Sequence, residues 1–157
     1  MTPAVKLLDN LKIPYTIRHY SADSAQRHFG EHAASILDQN PQQVFKTLLA
    51  VIDGNTKKPV VALVAVADQL DLKKLAATYN GRKAAMAEPQ AAQRMTGYIV
   101  GGISPLGQRQ QYATCIDAAA RNFDTIYVSG GRRGLQIELG VNDLARVLNA
   151  NFTDLAR

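Results

Sequence analysis

An α+β fold is what this sequence predicts: a mixed, barrel-like β-sheet with helices at its periphery, in one domain spanning residues 1–157. Three observations carry that reading. Two β-branched runs, VFKTLLAVID (44–53) and KPVVALVAV (58–66), are joined by Asp53-Gly54-Asn55, a strong hairpin signal. A second strand–turn–strand follows at TIYVSGG (125–131) and LQIEL (135–139). Helix signals fall around these strands without strict strand–helix alternation, which argues against a purely parallel sheet. Strands this apolar need cover on both faces, and a mixed sheet or a small closed barrel supplies it.

The remaining elements follow in order. Thr2 offers an N-cap oxygen, Pro3 suits the first helical position, and Val5, Leu8 and Leu11 fall near one face of a first helix. IPYTIRHY (13–20) alternates Ile13, Tyr15 and Ile17 with mostly polar neighbours, as a half-buried strand does. Residues 31–39 read as a helix ending before Pro41. Asp71 caps a helix running to Tyr79, with Asn80-Gly81 as its stop, and a short helix spans Pro89 to Met95. Asn142 or Asp143 opens a closing helix that runs to Asn149.

Composition narrows the function classes. A chain of 157 residues buries about two-thirds of its unfolded surface, enough to fold without disulfides or metal. Its single cysteine, Cys115, excludes an intrachain disulfide and a clustered thiolate site. With no tryptophan and 6% aromatic residues, an aromatic stacking platform is not expected. The longest apolar run, 60–67, is far short of a membrane span, and the N-terminus lacks the pattern of a signal peptide. A cytoplasmic protein is the expectation. The formal charge is +5, and residues 51–100 contribute most of it with seven basic and four acidic residues. A basic surface attracts polyanions, so Lys57, Lys58, Lys73, Lys74, Arg82 and Lys83 are candidate RNA contacts.

Local chemistry is sparse. His28 and His32 have helical i,i+4 spacing and His19 lies nearby, but Gly30 interrupts the pair and no carboxylate or thiolate motif joins it. Exposed histidines are the plainer reading, and no metal is expected. Cys115 sits among small and apolar residues, as a packed thiol does. Ser104 and Ser129 lack a Gly-x-Ser-x-Gly frame. More informative are two glycine loops, GYIVGGISPLG (97–107) and SGGRRG (129–134). Each is either a tight turn or a place where consecutive amides converge on a carbonyl oxygen or phosphate. Lys46 is the unusual residue, a charge inside an apolar strand. Either its ammonium snorkels to water, or it is held at a barrel mouth to meet a negative group.

Taken in register, HFG (28–30), FKTLL (45–49), GYIVGGISPLG (97–107), TIYVSGG (125–131) and RGLQIEL (133–139) resemble the YbaK/EbsC family. The resemblance runs from Thr2 to Asp154 and is specifically to bacterial Cys-tRNA(Pro) deacylases related to the inserted editing domain of prolyl-tRNA synthetase. It implies a mixed β-barrel flanked by helices and hydrolysis of prolyl-tRNA mischarged with cysteine, or of Cys-tRNA(Cys), without a cofactor. The family's essential lysine falls on Lys46, with Thr47 beside it. Its pocket positions fall on Tyr20, Phe29, the backbone of Gly101, Gly102 and Ile103, and on Ser104 and Ser129. Some relatives carry an acidic residue where this chain has Gln136, so no acidic role is assigned there. The chain carries no synthetase core, which implies action in trans on tRNA, with prolyl-tRNA synthetase as a candidate partner. A thiol of the substrate attacking its own ester, with Lys46 and backbone amides positioning it, would need no protein nucleophile. The rival readings are a non-catalytic tRNA- or synthetase-binding module and a nucleotide- or amino-acid-binding protein.

Overall fold

A computed structural model describes residues 1–20 and 39–157. Among them, four α-helices and eight strands confirm the α+β class. The helices are α1 (Pro3–Leu11), α2 (Leu72–Thr78), α3 (Pro89–Thr96) and α4 (Val141–Leu148). The strands are β1 (Tyr15–His19), β2 (Phe45–Ile52), β3 (Val60–Ala65), β4 (Ala84–Met86), β5 (Ala113–Asp117), β6 (Thr125–Ser129), β7 (Leu135–Gly140) and β8 (Asn151–Thr153). A 3-10 turn, Ala118–Asn122, follows β5.

The described strands do not close into a barrel. They form a three-stranded antiparallel sheet, β1-β7-β6, and a five-stranded mixed sheet, β4-β2-β3-β5-β8. Among the described residues one isolated bridge, between Val44 and Tyr127, links the two sheets by backbone pairing. Closure needs a ladder between edge strands, and among the described residues no ladder joins β1 or β6 to β4 or β8.

Three layers result. One face of the five-stranded sheet packs Phe45, Leu49, Val61, Leu63 and Ile116 against Ile126, Val128, Ile137 and Leu139 of the smaller sheet, with α1 and α4 closing the ends. The opposite face packs Ala50, Ala62, Val64 and Cys115 against Leu75 and Ala76 of α2 and against Leu155. All six residues of β3 are buried, the two-sided cover its unbroken apolar run requires.

Most local expectations hold, with instructive departures. Thr2 caps α1, its oxygen accepting from Val5 N at 3.3 Å, and Asp71 caps α2 by accepting from Lys73 N and Lys74 N. The hairpin has Asp53 and Gly54 both at positive φ (50° and 72°), but β3 starts at Val60 because Pro59 has no N–H to give the ladder. β1 is an edge strand, and Ile17 keeps 37% exposure rather than being half-buried. α4 is capped by Gly140, so neither Asn142 nor Asp143 opens it; Asp143 instead pairs with Arg146 at 2.6 Å inside the helix. β4, β5 and β8 have no counterpart in the sequence reading. The helix expected over 31–39 lies outside the described residues, apart from Gln39.

Candidate active site

Residues at the start of β2 build the site. Along a strand, side chains alternate between faces. Lys46 accordingly points with Leu48, Ala50 and Ile52 toward the α2 side, while Thr47 points with Phe45 and Leu49 between the two sheets. β4 pairs only with Ala50–Ile52, and Ala87 N reaches Leu49 O at 2.9 Å. Between the Val44–Tyr127 bridge and the pairing with β4, residues Lys46–Leu48 have no paired strand on that side among the described residues. A cavity of about 360 Å³ opens there, where the two sheets splay apart.

Four segments wall this cavity. The start of β2 supplies Phe45, Lys46 and Thr47, and the smaller sheet supplies Ser129 and Gln136. The first glycine loop supplies Val100, Gly101 and Ile103, and Met86 to Ala92 supply an apolar side. Tyr20, at the exit of β1, completes the wall and is tied down by its N–H to Gly134 O at 2.9 Å. Of the nine site residues expected from the sequence, six line the cavity: Tyr20, Lys46, Thr47, Gly101, Ile103 and Ser129. Phe29 lies outside the described residues, as do His28 and His32.

Gly102 and Ser104 stand behind the wall. Gly102 N donates to Ile99 O at 2.9 Å, so its amide closes the loop's own turn. A Cβ on Gly102 would come within 2.7 Å of Arg132 Cα and 2.9 Å of Arg133 N. Glycine here lets the two glycine loops touch backbone to backbone. Ser104 is fully buried; its Oγ accepts from Leu106 N at 3.2 Å and its carbonyl accepts from Gln108 Nε2 at 2.9 Å. Both residues shape the loop that carries Gly101, whose φ of 89° itself favours glycine.

The start of α1 clamps both loops. Thr2 Oγ1 donates to Gly130 O at 2.6 Å, and a Cβ on Gly107 would strike the Pro3 carbonyl carbon at 2.7 Å. Tyr98 Oη donates to Leu106 O at 2.6 Å, and burial pushes that hydroxyl's pKa up to about 12. Tyr98 is thus a neutral strut.

The cavity's polar groups are of two kinds. Lys46 is half-buried and lines the cavity, and its Nζ donates to Asp68 O at 2.8 Å. Ser129 Oγ accepts from Gly131 N at 3.2 Å. By contrast Thr47 Oγ1 and Gln136 Oε1 are buried without a hydrogen-bond partner among the described residues. Gln136 is 3% exposed and sits opposite Ser129 in the β6–β7 register. Sequence reasoning left it unassigned. Its one available signal was a long polar side chain inside LQIEL, at a position whose neighbours in the strand are core.

Buried oxygens without donors are costly and persist where a ligand supplies the missing partner. Backbone, hydroxyl, amide and one ammonium are groups that orient a substrate and stabilise charge. No group of three or more His, Cys, Asp or Glu gathers among the described residues, and no described helix is long and apolar enough to cross a membrane.

Comparisons with known proteins agree on a family. The aminoacyl-tRNA editing domain family matches residues 25–147, which carry both glycine loops and Lys46. An Enterococcus faecalis protein named as a Cys-tRNA(Pro)/Cys-tRNA(Cys) deacylase, EbsC, is 35% identical over 155 residues, covering 98% of this chain and 92% of its own. The Escherichia coli K12 multifunctional Ser/Thr-tRNA deacylase ProXp-y is 26% identical over 114 residues, 71% of this chain and 68% of its own. A crystal structure described as a trans-editing enzyme for prolyl-tRNA synthetase superposes with a TM-score of 0.82 at 20% identity, covering 99% of this chain and 95% of that one. The chain belongs to the aminoacyl-tRNA editing domain family and is an aminoacyl-tRNA deacylase, a hydrolase of the ester that joins an amino acid to tRNA.

Proposed function

We propose that this chain, as one catalytic domain acting in trans, hydrolyses tRNA(Pro) mischarged with cysteine, and that Cys-tRNA(Cys) is its second substrate. The observation that carries this is the cavity at the start of β2, lined by Lys46 together with Thr47 and Gln136, whose buried oxygens lack donors among the described residues. The likeness to EbsC over nearly the whole chain supports cysteine as the amino acid.

An aminoacyl ester is already activated, so the site needs to position and stabilise more than to attack. In the proposed route the substrate's own thiolate attacks its ester carbonyl carbon. A C–S bond forms, the C–O bond to the terminal ribose breaks, and the departing ribose oxygen takes up a proton. Water then adds to the strained thiolactone carbonyl, the C–S bond breaks, and free cysteine leaves with its thiol protonated. Gly101 and Ile103 line the cavity, and in this reading their amides serve a carbonyl or ribose oxygen. Lys46 meets the terminal phosphate or sugar as a point charge. Thr47 Oγ1 and Gln136 Oε1 accept from the substrate's ammonium or thiol. A non-catalytic binding module would explain the basic charge but not membership in a deacylase family.

The test compares Cys-, Ser-, Ala- and S-methyl-Cys-tRNA(Pro) while trapping the released species. A pocket sieve separates near-isosteres by roughly 10–200-fold. A Cys-over-Ser preference above that range, with S-methyl-Cys inert, is the expected result. Hydrolysis of Ala-tRNA(Pro) at the Cys rate would overturn thiol assistance and leave bound water as the attacking group.

A further inference from the structure

A second concavity lies at the other end of β2. It is an open cleft of about 720 Å³ between the β2–β3 hairpin, the end of α2 and residues 110–113. Its wall includes Lys57, Lys58, Asn55, Asn80 and Gln110. Arg82 and Lys83 continue directly from its Asn80-Gly81 side and are exposed. None of these four cations enters a salt bridge within the described residues. Lys74, from the same stretch of sequence, is committed elsewhere, to Asp154 at 3.0 Å and to Ala156 O at 2.7 Å.

One acidic residue, Asp53, also lines the cleft. Its carboxylate is already occupied by backbone. Oδ1 accepts from Arg82 N at 3.0 Å and from Lys83 N at 2.8 Å. Those bonds tie the hairpin to the segment after α2, so the four cations are displayed on a fixed frame. Close packing adds to this, since a Cβ on Gly81 would run into Ile52.

We propose that this cleft binds the phosphodiester backbone of duplex RNA, and that the tRNA body rests there while its 3′ end enters the cavity. The inference rests on the deacylase reading for the identity of the RNA. Geometry supports the pairing of sites: β2 runs from Lys46 in the cavity to Ile52 in the cleft, about 20 Å at the rise of a strand. A single-stranded 3′ end can occupy that interval, which leaves the paired stem to meet the basic frame. Ammonium groups with interspersed amides are the usual equipment for phosphate contacts that position RNA without reading its sequence.

The test uses the full chain and its Lys57→Ala/Lys58→Ala variant, whose substituted side chains are exposed and whose fold is checked by circular dichroism. Uncharged tRNA is titrated at several salt concentrations. Affinity is expected to fall about tenfold at low salt, and the slope of log Kd against log salt to become shallower by about two. A parallel assay compares deacylation of full-length Cys-tRNA(Pro) with that of a cysteinylated CCA trinucleotide. KM should rise for the full tRNA alone, with kcat unchanged for both. An unaltered salt slope would overturn the proposal, as would an equal loss on the trinucleotide. Because uncharged tRNA is the probe in the first arm, failure of the hydrolysis reading would show as absent ester cleavage while the binding result stands or falls by itself.

Discussion

Two polar regions of this molecule treat their buried oxygens in opposite ways. At the end of β5, Asp117 is 4% exposed and both carboxylate oxygens are occupied: Oδ1 accepts from Leu155 N at 2.8 Å and Ala156 N at 3.0 Å, and Oδ2 from Ala119 N at 3.2 Å. At the start of β2, Thr47 Oγ1 and Gln136 Oε1 are buried beside a cavity with no described partner. The first region is complete within the chain, because it pins the C-terminal strand β8 and the segment after it to the core. The second is left open by the described residues, and in the proposed function a bound molecule completes it. A buried polar group that stabilises is thus distinguished from one that recognises by whether the fold finishes its hydrogen bonds.

That contrast breaks apart under mutation in a definite order. The largest effect is expected at Lys46. Lys46→Ala should lower deacylation by at least about 100-fold, since a positioning charge is lost, while the melting temperature stays near that of the parent. Lys46→Arg should rescue poorly, because a planar fork does not replace a compact ammonium. Normal turnover by folded Lys46→Ala would remove this residue from the mechanism.

Asp117 should behave in the reverse sense. Asp117→Ala strands three backbone N–H groups and is expected to cost about 3 kcal/mol, a drop of roughly 10 °C in melting temperature for a domain of this size. Specific activity of the fraction that remains folded should be unchanged. A variant with normal melting but impaired turnover would mean that the C-terminal closure belongs to the active site.

The smallest effect sharpens the comparison most. Thr47→Val keeps the shape and removes a buried hydroxyl that has no described partner. Stability should hold or rise by up to about 1 kcal/mol, with KM for the aminoacyl-tRNA raised severalfold. A loss of stability on denaturant titration would show that the hydroxyl is satisfied within the fold.

The site was more legible in the sequence than the topology. Lys46 stands out because a charge in VFKTLLAVID violates the pattern of its strand, and it is among the residues that line the cavity. The glycine loops were visible as conformational requirements, although which glycine faces the cavity and which supports it depended on contacts from distant residues. Gly102 is required because Arg132 and Arg133 lie against it, thirty positions away in the chain. Gln136 went unassigned because nothing in LQIEL indicates that its amide oxygen lacks a donor; that follows from the register with Ser129 and from the opening beside β2.

Local physical chemistry by itself determined the helix caps at Thr2 and Asp71, the Asp53-Gly54 turn, the apolar strands and the position of Lys46, since each depends on residues within a few positions of one another. Tertiary structure alone decided that the strands form two open sheets, that short segments such as Ala84–Met86 and Asn151–Thr153 become strands, and that β5 runs parallel to β3. Those outcomes rest on pairing between remote segments, whose hydrogen bonds are indifferent to side-chain identity and so leave little trace in a strand of three to five residues. The cavity belongs to the same category: it exists because β4 is too short to cover the start of β2, and a gap in pairing has no residue of its own to mark it.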